Sequence, residues 1–186
     1  MKQEKLERRE LLIVGLGGMG VLVAGQVLLE AAFHSYKYVS YIASYGFARR
    51  GGLSECTVIF SNDEIASPLL DQAQVVMLLD NTQFGSFEHR VRTGGIIIAE
   101  KAGLSADIEE EGYKLYALPG LEIAVNIGAS VVNNLIMLGS YVAITGSVSP
   151  ELIEGELKRR YGDSGSAMER NLEAFRRGLE LGRSAK

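Results

Sequence analysis

Short runs of apolar residues recur along the chain, and longer apolar or amphipathic stretches separate them. A continuous run of about four to eight apolar residues is typical of a strand buried on both faces of a parallel sheet. Runs of this kind, some with one polar residue, predict strands at 11–14, 39–43, 56–60, 75–79, 96–99 and 114–118. The runs at 75–79 and 96–99 contain no polar residue, which indicates central strands.

The longer stretches predict helices. Residues 21–34 are apolar on nearly every side, and Gln26 and Glu30 form a narrow polar stripe four residues apart. A long apolar helix is predicted at 129–145, and Ser149 followed by Pro150 is typical of the start of a further helix that runs toward Arg160. A last helix is predicted at 166–181, with one apolar face made of Met168, Leu172, Phe175 and Leu179.

Strands that alternate with helices predict an α/β fold. We expect a single three-layer domain with a mostly parallel sheet and helices on both faces. The 186 residues fit one such domain, in which 1–10 form a flexible N-terminal segment and 11–181 the folded part.

Composition excludes several kinds of protein. Cys56 is the single cysteine, so the chain has no internal disulfide, no cysteine-pair zinc site and no iron–sulfur cluster of its own. The net charge of −4 gives no basis for bulk nucleic-acid binding. The uncharged runs at 11–29 and 123–150 are long enough to span a membrane, but glycines break the first and asparagines interrupt the second. We expect no membrane segment, no signal peptide and a cytoplasmic location.

A glycine loop follows the first predicted strand. Gly15, Gly17 and Gly20 match the G-x-G-x-x-G pattern at the start of a predicted helix, where such glycines permit a tight turn and close approach of an anion to the helix N-terminus. The loop is therefore Rossmann-like. Nucleotide-binding domains of this type also need an acidic residue about 20 residues further on, and none occurs between Glu30 and Glu55.

Three interpretations of the loop stay open at this point. Arg49 and Arg50 suit a 2′-phosphate, so a free-standing NADP-dependent dehydrogenase is one of them, whereas NAD is disfavoured. The same arginines, beside Gly51 and Gly52, suit other phosphates or carboxylates. In a purely structural subunit, the glycines would only permit close packing against a partner.

Six sequence blocks occur in an order that resembles a known family. They are 15–21, 44–54, 63–68, 118–124, 133–139 and 171–178, which read GLGGMGV, SYGFARRGGLS, DEIASP, LPGLEIA, NNLIMLG and NLEAFRRG. Together they resemble the gamma subunit, or gamma domain, of the 2-oxoacid:ferredoxin oxidoreductases, across 11–178.

The resemblance implies a subunit of an enzyme that oxidatively decarboxylates a 2-oxoacid to an acyl-CoA and reduces ferredoxin. Thiamine diphosphate and iron–sulfur clusters would belong to alpha, beta and delta subunits or their fused equivalents, and an isolated chain is a candidate homodimer. A short, separate gamma chain favours 2-oxoglutarate as the substrate. The implied coenzyme A contacts are Gly17, Gly18, Met19, Gly20, Arg49, Arg50 and Gly51. Met19 stands where most relatives have glutamine.

Other polar residues are assigned structural roles. His34 and His89 show no zinc spacing and are predicted to be surface or helix-end histidines. Asp80 follows a predicted central strand and is expected to cap the next turn. Asn133 and Asn134 lie in a long apolar stretch, so at least one is expected to have a buried partner. No catalytic residue and no metal ligand is predicted.

Overall fold

The computed structural model describes residues 8–45, 51–108, 110, 112–162 and 165–186. Within these ranges six strands form one sheet, in the order β2-β3-β1-β4-β5-β6. The strands are β1 (Arg9–Leu16), β2 (Tyr38–Tyr45), β3 (Leu53–Ser61), β4 (Ala73–Leu78), β5 (Val91–Glu100) and β6 (Tyr113–Leu118).

Only β3 runs against the others. It pairs antiparallel with both β1 and β2, whereas β1, β4, β5 and β6 pair in parallel. At the centre of the sheet Ile13 of β1 stands between Cys56 of β3 and Met77 of β4. All three side chains are buried, because helices or loops cover both faces. The predicted mostly parallel α/β sheet is confirmed.

Six helices lie within the described ranges: α1 (Val21–Phe33), α2 (Phe84–Phe87), α3 (Gly120–Asn126), α4 (Asn133–Thr145), α5 (Pro150–Tyr161) and α6 (Gly165–Ala185). Residues of α1, α3, α4, α5 and α6 share one apolar cluster with a single face of the sheet. The opposite face packs against α2 and neighbouring loops. Helices therefore cover both faces, but one helical layer is reduced to a four-residue helix.

The boundaries of the elements differ from the prediction at three places. The helix predicted at 129–145 begins only at Asn133, because Gly128 has a left-handed φ of 83° and a 3₁₀ turn precedes the helix. The short helices α2 and α3 were not predicted. β1 begins at Arg9, inside the segment 1–10 that we expected to be flexible, and 1–7 lie outside the described residues.

The uncharged run at 11–29 divides between β1 and α1, and the run at 123–150 includes α4 and the turns around it. Among the residues that the structure describes, no helix combines the length and the apolarity needed to cross a membrane. The longest helix, α6, carries charged residues along its exposed side.

Glycines bring α4 and α6 into direct backbone contact. A Cβ atom on Gly139 or Gly178 would overlap a main-chain carbonyl of the opposite helix. At this crossing the Ser140 hydroxyl donates to the carbonyl of Gly178 at 3.0 Å. α4 is consequently buried along nearly its whole length, and Asn134 near its start donates to the carbonyl of Gly20 in the connection between β1 and α1.

Candidate functional site

The glycine loop connects β1 to α1 through two left-handed residues. Gly18 has a φ of 98° and Gly20 a φ of 75°, a region that side chains with a Cβ rarely adopt. The amide of Met19 donates to the Leu16 carbonyl at 3.1 Å, and the Met19 sulfur accepts from the Leu16 amide at 3.4 Å. The loop thus satisfies part of its own backbone while Gly18 stays in open space.

The N-terminus of α1 has no side-chain cap among the residues that the structure describes. Gly20 occupies the N-cap position, and the first turn of the helix contains no acidic residue. Amides at a helix N-terminus carry partial positive charge and lack intrahelical acceptors. The arrangement therefore favours a phosphate or carboxylate at the loop.

A second glycine segment meets this loop. The Gly17 amide donates to the Gly52 carbonyl at 2.8 Å, and a Cβ on Gly17 would lie 3.4 Å from the Gly51 nitrogen. Gly51 also has a left-handed φ, of 74°. The structure therefore brings together the predicted site residues Gly17, Gly18, Met19, Gly20 and Gly51. Arg49 and Arg50 lie outside the described residues.

Asn134 holds the end of the glycine loop. Its side-chain amide donates to the Gly20 carbonyl at 3.0 Å, and a Cβ on Gly20 would overlap that amide. Gly20 thus needs to be glycine for its backbone conformation and also for the space that Asn134 occupies. The expected buried partner of Asn134 is the glycine loop itself.

The sequence analysis missed Glu100, which lies buried at the end of β5. Its carboxylate accepts from the amides of Ala102 at 3.0 Å and Leu121 at 2.8 Å, and from the side chain of Asn133 at 3.2 Å. Three neutral donors, one in the loop after β5 and one each at the starts of α3 and α4, thus compensate the buried charge. The available signal was an acidic residue that directly follows the continuous apolar run at 96–99.

A cavity of about 250 Å³ opens between these elements. It lies beyond the carboxyl ends of β1, β4 and β5, at the point where the connections from β1 and β4 lead to opposite sides of the sheet. Open α/β sheets bind ligands in such a crevice. Its lining residues are Gly18, Met19, Leu79, Asp80, Asn81, Glu100, Ala102, Leu121, Ser130, Val131 and Asn133.

Asp80 performs the capping role predicted for it. One carboxylate oxygen, Oδ1, accepts from the amide of Thr82 at 3.0 Å and also from its hydroxyl. These bonds close the 3₁₀ turn that follows β4. The same side chain also borders the cavity, so a structural role and a ligand contact are compatible.

The remaining reactive side chains lie away from the cavity. Burial raises the pKa of the Cys56 thiol to about 12, so the thiolate is scarce at neutral pH. His34 follows the C-terminal end of α1 and lies 3.1 Å from Glu156, while His89 is exposed in a 3₁₀ turn, as predicted. In the described part of the chain no group of three or more histidine, cysteine or acidic residues is arranged to hold a metal ion.

The topology differs from that of a dinucleotide-binding domain. In such domains the strand after the first helix pairs with the glycine-loop strand and carries the ribose-binding acid. Here β3 lies between β1 and β2. The end of β2 is therefore displaced from the glycine loop by two strand spacings, about 10 Å. This arrangement disfavours the interpretation of the chain as an NADP-dependent dehydrogenase.

The fold and the site together define an α/β domain that presents a glycine loop, the N-terminus of a helix and a cavity at one edge of its sheet. The chain belongs to the pyruvate ferredoxin/flavodoxin oxidoreductase family, which it matches over residues 10–181. The resemblance to the gamma-type domain of these oxidoreductases is confirmed.

Two relatives illustrate the match. Ketoisovalerate oxidoreductase subunit VorA of Methanothermobacter marburgensis is 31% identical over 174 residues, which cover 92% of this chain and 36% of that protein. 2-Oxoglutarate synthase subunit KorC of Methanocaldococcus jannaschii is 29% identical over 177 residues, which cover 94% of both chains. The chain thus spans about a third of the first relative and nearly all of the second.

Solved structures share the fold. The gamma subunit of a keto/oxoacid ferredoxin oxidoreductase from Geobacter sulfurreducens superposes with a TM-score of 0.80 at 27% identity, over 95% of this chain and 99% of that one. A 2-oxoglutarate:ferredoxin oxidoreductase from Magnetococcus marinus gives a TM-score of 0.88 at 19% identity, over 97% of this chain and 32% of that one. The second likeness concerns the fold alone.

Proposed function

We propose that the chain is the gamma subunit of a 2-oxoacid:ferredoxin oxidoreductase complex and contributes to its assembly and to its coenzyme A site. Family membership over residues 10–181 and the near-complete overlap with a separate 2-oxoglutarate synthase subunit support this proposal. The chain acts with alpha, beta and delta subunits or their fused equivalents, which hold thiamine diphosphate and the iron–sulfur clusters and pass electrons to ferredoxin.

The hydrogen bond between Gly17 and Gly52 carries the coenzyme A assignment. It joins the glycine loop to the segment that directly follows Arg50 in the sequence. Uncapped helix amides favour an anion, and arginine side chains form paired hydrogen bonds with phosphates. The phosphates of coenzyme A fit this donor set, with Gly17, Gly18, Met19, Gly20 and Gly51 supplying the backbone and Arg49 and Arg50 the charge.

We favour 2-oxoglutarate as the substrate of the complex. We place the complex in the cytoplasm. The chain matches nearly the full length of a 2-oxoglutarate synthase subunit but only 36% of the ketoisovalerate oxidoreductase subunit. A separate subunit of this length is found in that 2-oxoglutarate synthase and also in the pyruvate and ketoisovalerate oxidoreductases of Pyrococcus furiosus, so the substrate assay described below decides between them. The Magnetococcus marinus enzyme of similar fold is described with 2-oxoglutarate, coenzyme A and succinyl-CoA bound.

Purification from the native host through a tag on this chain tests the assembly. We expect thiamine-dependent partner subunits to co-purify and the recovered complex to oxidise a 2-oxoacid in the presence of coenzyme A. A tagged chain that emerges alone under gentle conditions would contradict the proposal. Assays with 2-oxoglutarate, pyruvate and ketoisovalerate then identify the substrate.

Calorimetric titration of the complex with coenzyme A tests the binding site. Arg50→Ala removes a proposed phosphate contact, and Gly18→Ala places a methyl group on the loop. Gly94→Ala is the matched control for the second change, because Gly94 also has a positive φ and open space around it but lies at the other edge of the sheet. Weaker binding in the first two variants and not in the control is expected; equal affinity in all three would refute the coenzyme A site.

A further inference from the structure

A further cavity, of about 350 Å³, opens at the other end of the central strands from the glycine loop. It lies at the starts of β1, β4 and β5 and reaches the last turn of α4. Complete small-molecule sites occupy about 300–1,000 Å³, so this cavity has room for a whole small ligand.

Arg9, the first residue of β1, brings an uncompensated positive charge to this cavity. Its Nε atom is buried and has no hydrogen-bond partner among the residues that the structure describes. Arg8 and Arg92 differ, because both form ion pairs with Glu10. Within the described ranges no carboxylate pairs with Arg9, so the cavity lining holds two arginines, Arg9 and Arg92, against one glutamate.

Two tyrosines lie close to Arg9 and stay neutral. Burial raises the pKa of the Tyr36 phenol, and the proximity of Arg9 opposes that rise. Burial also raises the pKa of Tyr141 to about 12, in spite of the positive charge of Arg9 nearby. Tyr141 lines the cavity, so at neutral pH it presents a protonated hydroxyl that can donate to an anion.

Apolar side chains form another part of the lining. They are Val75 of β4, Ile96 of β5 and Ile144 of α4. A buried phosphate would need several further donors in such surroundings, whereas a carboxylate is satisfied by one arginine fork and one hydroxyl. A short hydrocarbon chain on that carboxylate would gain contact with the apolar side chains. The lining therefore favours an organic acid over an inorganic anion.

We propose that this cavity binds a small monocarboxylate with a short apolar chain, held by the guanidinium of Arg9 and the hydroxyl of Tyr141. The carboxylate supplies the acceptor that Arg9 lacks among the described residues. The apolar chain lies against Val75, Ile96 and Ile144.

The proposed site is separate from the coenzyme A site and goes beyond the proposed function. α4 joins the two, because Asn134 at its start holds the glycine loop and its last turn, to Thr145, lines the cavity. At about 1.5 Å of rise per residue these ends of α4 are about 16 Å apart. Binding of a carboxylate is therefore measurable without coenzyme A.

Calorimetric titration of the full chain with isovalerate, a monocarboxylate with a branched apolar chain, tests the site. Isovaleramide has nearly the same shape without the charge, and inorganic phosphate has charge without an apolar chain. Arg9→Gln removes the charge of the site, Arg9→Lys keeps the charge without the fork, and Tyr141→Phe removes the hydroxyl. Arg8→Gln is the matched control, because Arg8 precedes Arg9 but pairs with Glu10 and does not line the cavity.

We expect Arg9→Gln to weaken isovalerate binding by about tenfold or more and Tyr141→Phe by about threefold to tenfold. Arg9→Lys is expected to fall between wild type and Arg9→Gln, and Arg8→Gln to stay within about twofold of wild type. Isovaleramide and phosphate are expected to bind wild type at least about tenfold more weakly than isovalerate. Thermal melting without ligand shows that each variant is folded.

Equal isovalerate affinity in wild type and in the Arg9 and Tyr141 variants would overturn the inference. Phosphate or isovaleramide that binds as tightly as isovalerate would also overturn it. A wild-type chain that gives no heat with isovalerate would do the same. Heat that appears only after Glu4→Gln or Glu7→Gln would mean that a carboxylate of the chain itself, and not a separate acid, is the partner of Arg9.

Discussion

Replacement of Glu100 by glutamine tests whether its buried carboxylate joins β5 to the starts of α3 and α4. Oε2 accepts from Leu121 and Asn133, and Oε1 accepts from Ala102. A glutamine that keeps its oxygen toward the first two donors turns its NH₂ group toward the Ala102 amide. One hydrogen bond is then lost, and the other two no longer involve a charged acceptor.

The expected loss of stability follows from these bonds. A hydrogen bond to a charged group contributes about 1.5–3 kcal/mol and a neutral one about 0.5–1.5 kcal/mol. The lost bond and the two weakened ones sum to about 4 kcal/mol, and relief of the buried charge lowers the net destabilisation to about 3 kcal/mol. For a chain of this length that corresponds to a fall in melting temperature of about 6–12 °C.

The assay is thermal and urea unfolding of the full chain, with Glu122→Gln as the matched control. Glu122 lies in the first turn of the same helix α3 but is exposed, so only about 0.3–1 kcal/mol of helix-dipole interaction is at stake there. A Glu100→Gln variant that unfolds together with the control would refute the reasoning. It would mean that the carboxylate contributes no more than an exposed charge.

Three further outcomes are expected. Gly178→Ala in α6 is expected to lower the free energy of urea unfolding by about 1–3 kcal/mol, because its methyl group meets the backbone of α4. Gly155→Ala in α5, where the space is open, is the control and is expected to raise it by up to about 1 kcal/mol. Equal effects of the two changes would contradict the close packing of α4 and α6. Cys56, with its thiol pKa raised by burial to about 12, is expected to resist iodoacetamide at pH 8 until urea is added, and rapid labelling of the folded chain would refute this. The hydrogen bond from Arg176 lowers the pKa of the Glu154 carboxyl below its ordinary value of 4.5. The pair therefore stabilises the fold above pH 4.5, and this contribution is lost as the pH falls through the lower pKa of the folded state. Arg176→Gln should flatten this acid dependence of the unfolding midpoint, and an unchanged pH profile would contradict the pairing.

The central strands and long helices were predictable because burial on both sides leaves a local signature. The runs at 75–79 and 96–99 read as continuous apolar sequence, and Ser149 with Pro150 marks the start of α5. The predicted boundary is correct, but the Ser149 side chain makes no capping hydrogen bond to the helix backbone. Short helices such as α3 are too brief to show a period in the sequence, and the burial of Ala124 in the main apolar cluster is visible only in the folded chain.

The candidate site was predictable in part. The glycine loop was identified because its glycines occur at fixed spacing beside a strand and a helix, and Gly18 and Gly20 have the left-handed conformation that such a loop requires. Glu100 was missed because its partners, Leu121 and Asn133, lie 21 and 33 residues away and no local pattern joins them. The same distance effect hid the role of the helix glycines, of which Gly178 meets α4 only in the folded chain.

The sequence by itself determined the fold class, the position of the glycine loop and, through its single cysteine, the absence of an internal disulfide. These properties follow from the period of apolar residues, from backbone conformations that only glycine readily adopts, and from composition. The tertiary structure alone decided that Gly17 meets Gly52, that Asn134 holds Gly20, and that a cavity opens beside them. Such contacts join residues far apart in the chain, and their energy depends on packing that no local pattern records.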